Sequence, residues 1–241
     1  MFDPKICDEV LCLRADRFRY LSTGIDGGLS SARAIYWYSV PKGWDREDVA
    51  VYTEERKQQT GFDREGPSLL TGVSLSHLRG ARLDPVEAYV TAGVSNPAAL
   101  PMKALDESAD IPLATETVRP GTVNVAVGTN RSLSDAALAE LLGVAVEAKT
   151  ATLLALTGFP GTTTDATIVA SDPMGSDEQF CGSATTVGKA TRACVRDAIT
   201  ASLDSRYADE AIPASVAEAP YGIETTARSS VFQVESVQVH K

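Results

Sequence analysis

The residues best equipped for chemistry stand in three neighbouring stretches: G-T-V-N-V-A-V at 121–127, E-A-K-T at Glu147–Thr150, and T-G-F-P-G-T-T-T-D-A at Thr157–Ala166. Asp165 closes a Gly/Thr loop just before the apolar run T-I-V-A. A carboxylate at such a loop-to-strand junction can act as general base or orient a partner. Thr162, Thr163 and Thr164 offer hydroxyls and backbone N–H groups beside it, and Gly158 and Gly161 let a ligand approach the main chain. The same loop also reads as an ordinary turn stitched by local Thr and Asp bonds. It is not a P-loop, because G-K-[ST] is missing.

Lys149 is the second candidate. Stepping about 100° per residue from Leu138 gathers Leu141, Leu142, Ala145, Thr152 and Leu156 on one face, and Lys149 falls about 20° from its centre. A lysine there needs a partner or a ligand, or it snorkels past the helix edge. Glu140 and Glu147 fall on the opposite, solvated face. Asn124 interrupts a β-prone run and either binds a ligand amide or pairs with the next turn. Ser95-Asn96-Pro97 poses the same choice at the end of another strand, and Gly24–Ser31 is a further Gly-rich loop presenting Asp26, Ser30 and Ser31. Of the two histidines, His240 sits beside the C-terminus and is incidental, while His77 follows a strand and is a candidate for the site. No G-x-S-x-G elbow accompanies it, and no Cys-His signature is present.

These residues need a scaffold. Candidate strands are Val10–Arg14, Phe18–Ser22, Ala34–Val40, Leu69–Leu75, Val86–Val94, Thr122–Gly128 and Thr167–Ser171, bounded by Gly, Pro and Asp clusters. Arg46–Gln59 reads as a short exposed helix capped by Asp45 and stopped by Gly61. The strongest helix runs from Ser134, its cap, to Thr157, with Gly158 ending it. A second long helix spans Thr185–Ser202. Lys103–Glu116 reads as a surface loop, and the alternating Val231–Val239 segment as an added strand. The pattern predicts an α+β (mixed α/β) single domain, a mixed sheet of several strands packed with two long helices from the C-terminal half. Residues 1–205 form that domain and 206–241 a weakly packed acidic tail.

Composition narrows the function. The net charge of −10 with no basic stripe argues against nucleic acid. Arg14, Arg17 and Arg19 could make a local patch but read better as arginines on an amphipathic strand or turn. No stretch approaches the length of a membrane-spanning helix, and the first nine residues lack the features of a signal peptide, so a cytoplasmic protein is expected. Lys is scarce, seven against fifteen Arg, which suits solubility in high salt and a halophilic source. Cys7, Cys12, Cys181 and Cys194 form no C-x-x-C and have no neighbouring His, so buried free thiols are expected and a metal site is not.

Several motifs in order carry a resemblance: L-S-S-A at Leu29–Ala32, T-G-V-S-L-S-H-L at Thr71–Leu78, V-T-A-G-V-S-N-P at Val90–Pro97, G-T-V-N at Gly121–Asn124, E-A-K-T at Glu147–Thr150 and G-T-T-T-D-A at Gly161–Ala166. Over roughly residues 10–203 the chain resembles the adenosylcobinamide amidohydrolase family, the CbiZ type. Lys103–Glu116 and the segment beyond Arg206 depart from it. The resemblance implies corrinoid salvage in an archaeon: hydrolysis of the amide joining the aminopropanol arm of adenosylcobinamide to the corrin ring, giving adenosylcobyric acid and 1-amino-2-propanol. Cobalt then arrives within the corrinoid substrate and no protein-bound cofactor is expected.

Amide hydrolysis needs a nucleophile, donors for the oxyanion and an acid for the leaving amine. Asp165 is expected as base or orienter and Lys149 as oxyanion stabiliser or acid. Asn124, Asn96, Ser95, Gly161, Thr162, Thr163 and His77 are expected to meet the substrate. A covalent route would use Thr162, Thr164 or Ser95 as nucleophile with Lys149 as its base. A corrin ring calls for an open apolar cleft, which Tyr36, Trp37, Tyr38 and Trp44 either line or leave for the core. A corrinoid carrier without turnover, a hydrolase of small amides and a purely structural subunit are the rivals. Self-association stays open.

Overall fold

The computed structural model describes residues 1–25, 27–41, 44, 48–102 and 122–234. Among these residues ten strands and three α-helices follow in the order β1 (Asp3–Cys7), β2 (Val10–Ser22), β3 (Gly28–Ser39), α1 (Val49–Thr60), β4 (Ser68–Thr71), β5 (Arg79–Leu83), β6 (Val86–Ala92), β7 (Ala98–Ala99), β8 (Val123–Leu133), α2 (Asp135–Thr157), β9 (Ala166–Glu178), α3 (Thr186–Arg206) and β10 (Ile223–Glu224). The main sheet runs β4-β3-β2-β9-β8-β6-β5, with β1 pairing the far part of β2. It is mixed: β3/β4 and β8/β9 are parallel and the other pairs antiparallel.

Alternation on β6 and β8 decides what each face meets. Val86, Ala88, Val90 and Ala92, with Val123, Val125 and Val127, turn to the α2/α3 layer and join Leu138, Leu141, Ala145, Val195 and Ile199 in one core. The intervening Tyr89 and Ala126 turn inward and meet Leu11, Leu13, Ile35, Trp37, Leu69 and Ile168 in a second core. The sheet curls enough for edge strand β4 to reach across this inner face: Asn124 Nδ2 donates to the Leu70 carbonyl at 2.8 Å, and the Thr71 and Thr91 hydroxyls lie 3.3 Å apart. A third cluster, with Cys12, Tyr36, Tyr38 and Leu70, packs under Val49 and Tyr52 of α1.

Helix α2 starts and stops where its caps demand. Ser134 Oγ accepts from Ala137 N at 3.2 Å, and Gly158 adopts the left-handed conformation at φ 77°. Thr185 caps α3 through Gly188 N at 3.0 Å, and that helix runs four residues past the predicted Ser202 to Arg206.

Other expectations are corrected. Val10–Arg14 and Phe18–Ser22 are one strand with a register break between Arg14 and Phe18. The predicted strand Leu69–Leu75 stops at Thr71, and Leu75–His77 forms a 3₁₀ turn capped by Ser74. α1 begins at Val49, with Asp48 at its cap position making no side-chain cap bond, and it does end at Gly61. Leu156, predicted on the buried face of α2, is 47% exposed, lining the open groove between α2 and α3. Residues 231–234 are coil rather than strand. Asp26, Asp45, Lys103–Glu116, Gly121, His240 and the remainder of Val231–Val239 lie outside the described residues.

Candidate functional site

Three chain ends meet at one end of the sheet: the exit of β6, the entrance of β8 and the entrance of β9. Asn96 follows β6, Thr122 precedes β8, and the Gly161–Asp165 loop precedes β9. Helix α2 lies against β8 and β9 and brings Lys149 to the same place.

Lys149 Nζ donates to Asp165 Oδ2 in a short ion pair whose side chains are 9% and 11% exposed. The same oxygen accepts from Thr162 N at 3.1 Å, and Asp165 Oδ1 accepts the Thr162 hydroxyl in another short bond. Lys149 is buried on the sheet-facing side of α2, as its spacing predicts, while Glu147 is outside and pairs with Arg192 at 2.8 Å. A buried ammonium without a counter-charge would be very costly, so the Asp165 carboxylate is what allows lysine at this position. Gly161 is set by close approach: a Cβ there would stand 2.8 Å from Asp165 Oδ2 and 3.5 Å from Lys149 Nζ.

Asn96, 4% exposed, ties the neighbouring hydroxyls together. Its Nδ2 donates to Thr163 Oγ1 at 2.7 Å and Thr164 Oγ1 at 3.1 Å, and its Oδ1 accepts the Thr122 hydroxyl. Main-chain bonds fix the two loops on each other: Thr163 N donates to Asn96 O at 3.0 Å and Ala98 N to Gly161 O at 2.9 Å. The structure therefore joins Asp165, Lys149, Thr162, Thr163, Thr164, Gly161 and Asn96 in one network. Ser95 borders it on the exposed side.

Asn124 and His77 stand apart from those bonds. Asn124 is fully buried on the inner face of β8, where its Nδ2 holds Leu70 O and its Oδ1 has no partner among the described residues. His77 lies on the 3₁₀ turn under α3, with Nδ1 3.0 Å from Ser205 Oγ and its carbonyl accepting Ser202 Oγ at 2.8 Å. Burial first, then the Arg206 and Arg79 charges, lower its pKa below the ordinary histidine value. Among the described residues, the hydrogen bonds of His77 go to Ser205 and Ser202 and those of Asp165 to Lys149 and Thr162.

Tyr36, Trp37 and Tyr38 are at most 1% exposed, so these aromatics belong to the cores and do not line an open cleft. Trp44 stacks edge-on against Tyr52 of α1 at 5.5 Å. Ser30 and Ser31 are exposed on β3. Arg14 pairs with Asp3 and Arg19 with Asp135, leaving Arg17 beside an open cavity of about 530 Å³ that Arg33, Asp63, Arg64 and Glu65 share. A groove of about 480 Å³ between α2 and α3 is lined by Ala148, Thr152, Leu156, Lys189 and Arg192.

Cys12, Cys181 and Cys194 are buried and free, whereas Cys7 is exposed, contrary to expectation. Burial pushes the Cys181 thiol up to about 12, helped by Glu140 and Glu178, and also raises Cys12 and Cys194, so these thiols stay protonated. Among the described residues no three of His, Cys, Asp and Glu come together as a metal-binding group, and no helix is long and apolar enough to cross a membrane.

Sequence reasoning missed two members of this end of the molecule. Thr122, the first residue of the predicted strand Thr122–Gly128 and part of the G-T-V-N motif, is not among the predicted site residues; it stands just before β8 and donates to Asn96 Oδ1. Tyr207 follows α3 and accepts the Val94 N–H on its hydroxyl at 2.9 Å, a tertiary contact with no local trace.

Comparison with known proteins gives the chain's family. Residues 6–211 match the family model described as adenosylcobinamide amidohydrolase, of the CbiZ type. A protein of Halobacterium salinarum named adenosylcobinamide amidohydrolase is 48% identical over 97% of this chain and 100% of its own length. One of the same name from Methanosarcina mazei is 31% identical over 83% of this chain and 97% of its own. The chain belongs to the adenosylcobinamide amidohydrolase family.

Proposed function

We propose that this protein hydrolyses the amide linking the aminopropanol arm to the corrin ring of adenosylcobinamide, releasing adenosylcobyric acid and 1-amino-2-propanol. The observation that carries the reading is the nearly buried Lys149–Asp165 pair with the Thr162 hydroxyl donating into it. A plain binding surface has little use for a desolvated charge pair; a site that must build and discharge an oxyanion does.

The bonds favour one hydroxyl among the candidates. Thr163 and Thr164 accept from Asn96, while Thr162 donates to Asp165. In this reading Thr162 Oγ attacks the amide carbon as its proton passes to Asp165, and Lys149 stabilises the charge gathering on the carbonyl oxygen. The C–N bond breaks as Asp165 returns that proton to the leaving amine. Water then attacks the resulting ester, giving one proton to Asp165, and cleavage of the ester C–O bond restores the Thr162 hydroxyl and frees the acid. Asn96, Thr163 and Thr164 hold the loop, and Ser95 and the exposed Thr163 edge face incoming amide arms. Cobalt enters within the substrate, and the scheme uses no protein-bound cofactor.

The test is incubation of the purified protein with adenosylcobinamide in high and low KCl, following both products by mass spectrometry. Both products should appear in equal amounts, and a Thr162-linked acyl adduct should accumulate on rapid acid quench. Tight binding without products would replace the reading by a corrinoid carrier. Products with no adduct, and full turnover by Thr162→Ala, would leave the hydrolase and remove the covalent step in favour of an activated water.

A further inference from the structure

The segment after α3 does not leave the molecule. Tyr207 receives the Val94 N–H, Ile212 and Val216 pack against the α2/α3 core, and the chain then runs alongside residues 95–99. Tyr221 N donates to Ser95 O at 3.0 Å, Ile223 N to Pro97 O at 2.9 Å and Thr225 N to Ala99 O at 3.0 Å, with β10 parallel to β7. The opposite edge of residues 95–99 holds the site loop: Pro97 bridges Thr162, Thr163 N donates to Asn96 O and Ala98 N to Gly161 O. The segment bearing Asn96 is thus clamped between the C-terminal strap and the loop that ends in Asp165. The fit is close, since a Cβ on Gly222 would stand 2.6 Å from Val216 Cγ1 and 3.3 Å from Pro97. The family match ends at residue 211, so residues 212–225 lie outside it.

We propose that residues 212–225 form a positioning strap for the hydrolytic site, with the Ile223 N–H to Pro97 bond at its centre. The proposal rests on the hydrolase reading given above. The strap touches no reacting atom. It removes the freedom of residues 95–99, whose Asn96 carboxamide and carbonyl hold Thr163 and Thr164 and thereby set Thr162 against Asp165. Such a device belongs in turnover more than in substrate affinity, because the loop's hydroxyl geometry matters most when the carbonyl is attacked.

Three chains test it: one truncated after Ala211, one truncated after Arg228, and full-length Ile223→Pro, which lacks the central N–H donor. Truncation after Ala211 and Ile223→Pro should each lower kcat at least about tenfold with KM changed less than about threefold, because the loss falls on the transition state. Truncation after Arg228 keeps the strap and should match the full chain. If the shorter truncation fails to fold, Ile223→Pro alone decides. Amide hydrogen exchange gives a readout independent of turnover: exchange at Thr163 N–H should quicken about tenfold or more in Ile223→Pro, with β2 amides unchanged. Folded Ile223→Pro with the full chain's kcat, KM and Thr163 protection overturns the strap. A full-length protein that hydrolyses nothing overturns the hydrolase reading instead, and the exchange result still decides whether the strap orders the loop.

Discussion

Two carboxylates among the described residues, Glu87 and Asp165, are almost completely withdrawn from water, and their surroundings differ. Glu87 on β6 has a side chain 2% exposed, and its partner Arg82 is 68% exposed and approaches from outside at 2.7 Å. Its other oxygen accepts the Phe2 main-chain N–H at 2.6 Å, and the Phe2 ring lies where a Cβ on Gly128 would be, 2.5 Å away. Glu87 is thus an anchor: a backbone donor and a solvated cation hold it, and it fixes the N-terminal segment against Phe18 and Tyr89. Asp165 also accepts a main-chain N–H, from Thr162 at 3.1 Å, but its cation is buried and a hydroxyl donates to its other oxygen. Burial of a carboxylate alone is no mark of chemistry; a mobile proton beside it and a charge that cannot escape to water are.

The comparison breaks if the two acids respond alike to loss of charge. Asp165→Asn should lower kcat on adenosylcobinamide by about a thousandfold, within the range for a lost general base, with KM changed little. Glu87→Gln should keep kcat within about twofold and show its cost in the unfolding midpoint, because the Phe2 N–H still finds an acceptor while Arg82 loses its ion pair. Steady-state kinetics and thermal melts on both variants decide it. Equal turnover losses, or full activity in Asp165→Asn, would return the Lys149–Asp165 pair to a structural role.

The cation side sharpens the same contrast. Lys149→Met leaves Asp165 buried beside an apolar chain and should cost about 3–5 kcal/mol of stability along with turnover. Lys149→Met/Asp165→Leu should recover most of that stability and none of the activity, since a packed apolar pair is often as stable as a buried ion pair. Denaturant titrations of the single and double variants measure the difference. Arg82→Met, whose cation is mostly solvated, should cost less than Lys149→Met in the same experiment. Recovery of activity in the double variant would show that the pair serves packing alone.

How much of this was legible without coordinates depends on whether a feature is local. α2 was legible to its last residue because Ser134 and Gly158 are local caps, and Lys149 was legible because helical periodicity exposes a misplaced charge. The mixed α/β class followed from the order of strong segments. β1 and β5 were not legible: D-P-K-I-C is exposed throughout, and R-G-A-R-L has no buried residue, so edge pairing alone makes them strands. The aromatic run Tyr36–Tyr38 was ambiguous because both its faces are covered, by the inner core and by α1, which erases the alternation that separates core from cleft. Within the site, the loop and its aspartate were visible as composition. That Asn96, 69 residues before Asp165 in the chain, ties Thr163 and Thr164 is a property of the β6–β8–β9 register and has no local trace.

The smallest expected effect concerns His77, a third polar point where the sheet meets α3. Its partners are structural: Ser205 at Nδ1, Arg79 and Arg206 as nearby positive charges, and Glu9 as an opposing negative one. Burial is the leading cause of its lowered pKa, and the two arginines add to it more than Glu9 subtracts. The native state therefore resists a proton that the unfolded chain accepts near its ordinary value of 6.5. Above that pH both states hold a neutral ring and stability is unaffected by it; as pH falls through 6.5 the unfolded state gains the proton first, and stability declines until the lower native value is passed. Denaturant unfolding from pH 8 to pH 5 should show wild type losing stability relative to His77→Gln only below about 6.5, by an amount small beside the Lys149→Met effect. If kcat for His77→Gln instead loses one limb of its pH profile, His77 moves from the frame of the molecule into its chemistry, and the division between anchoring and reacting polar groups must be redrawn around it.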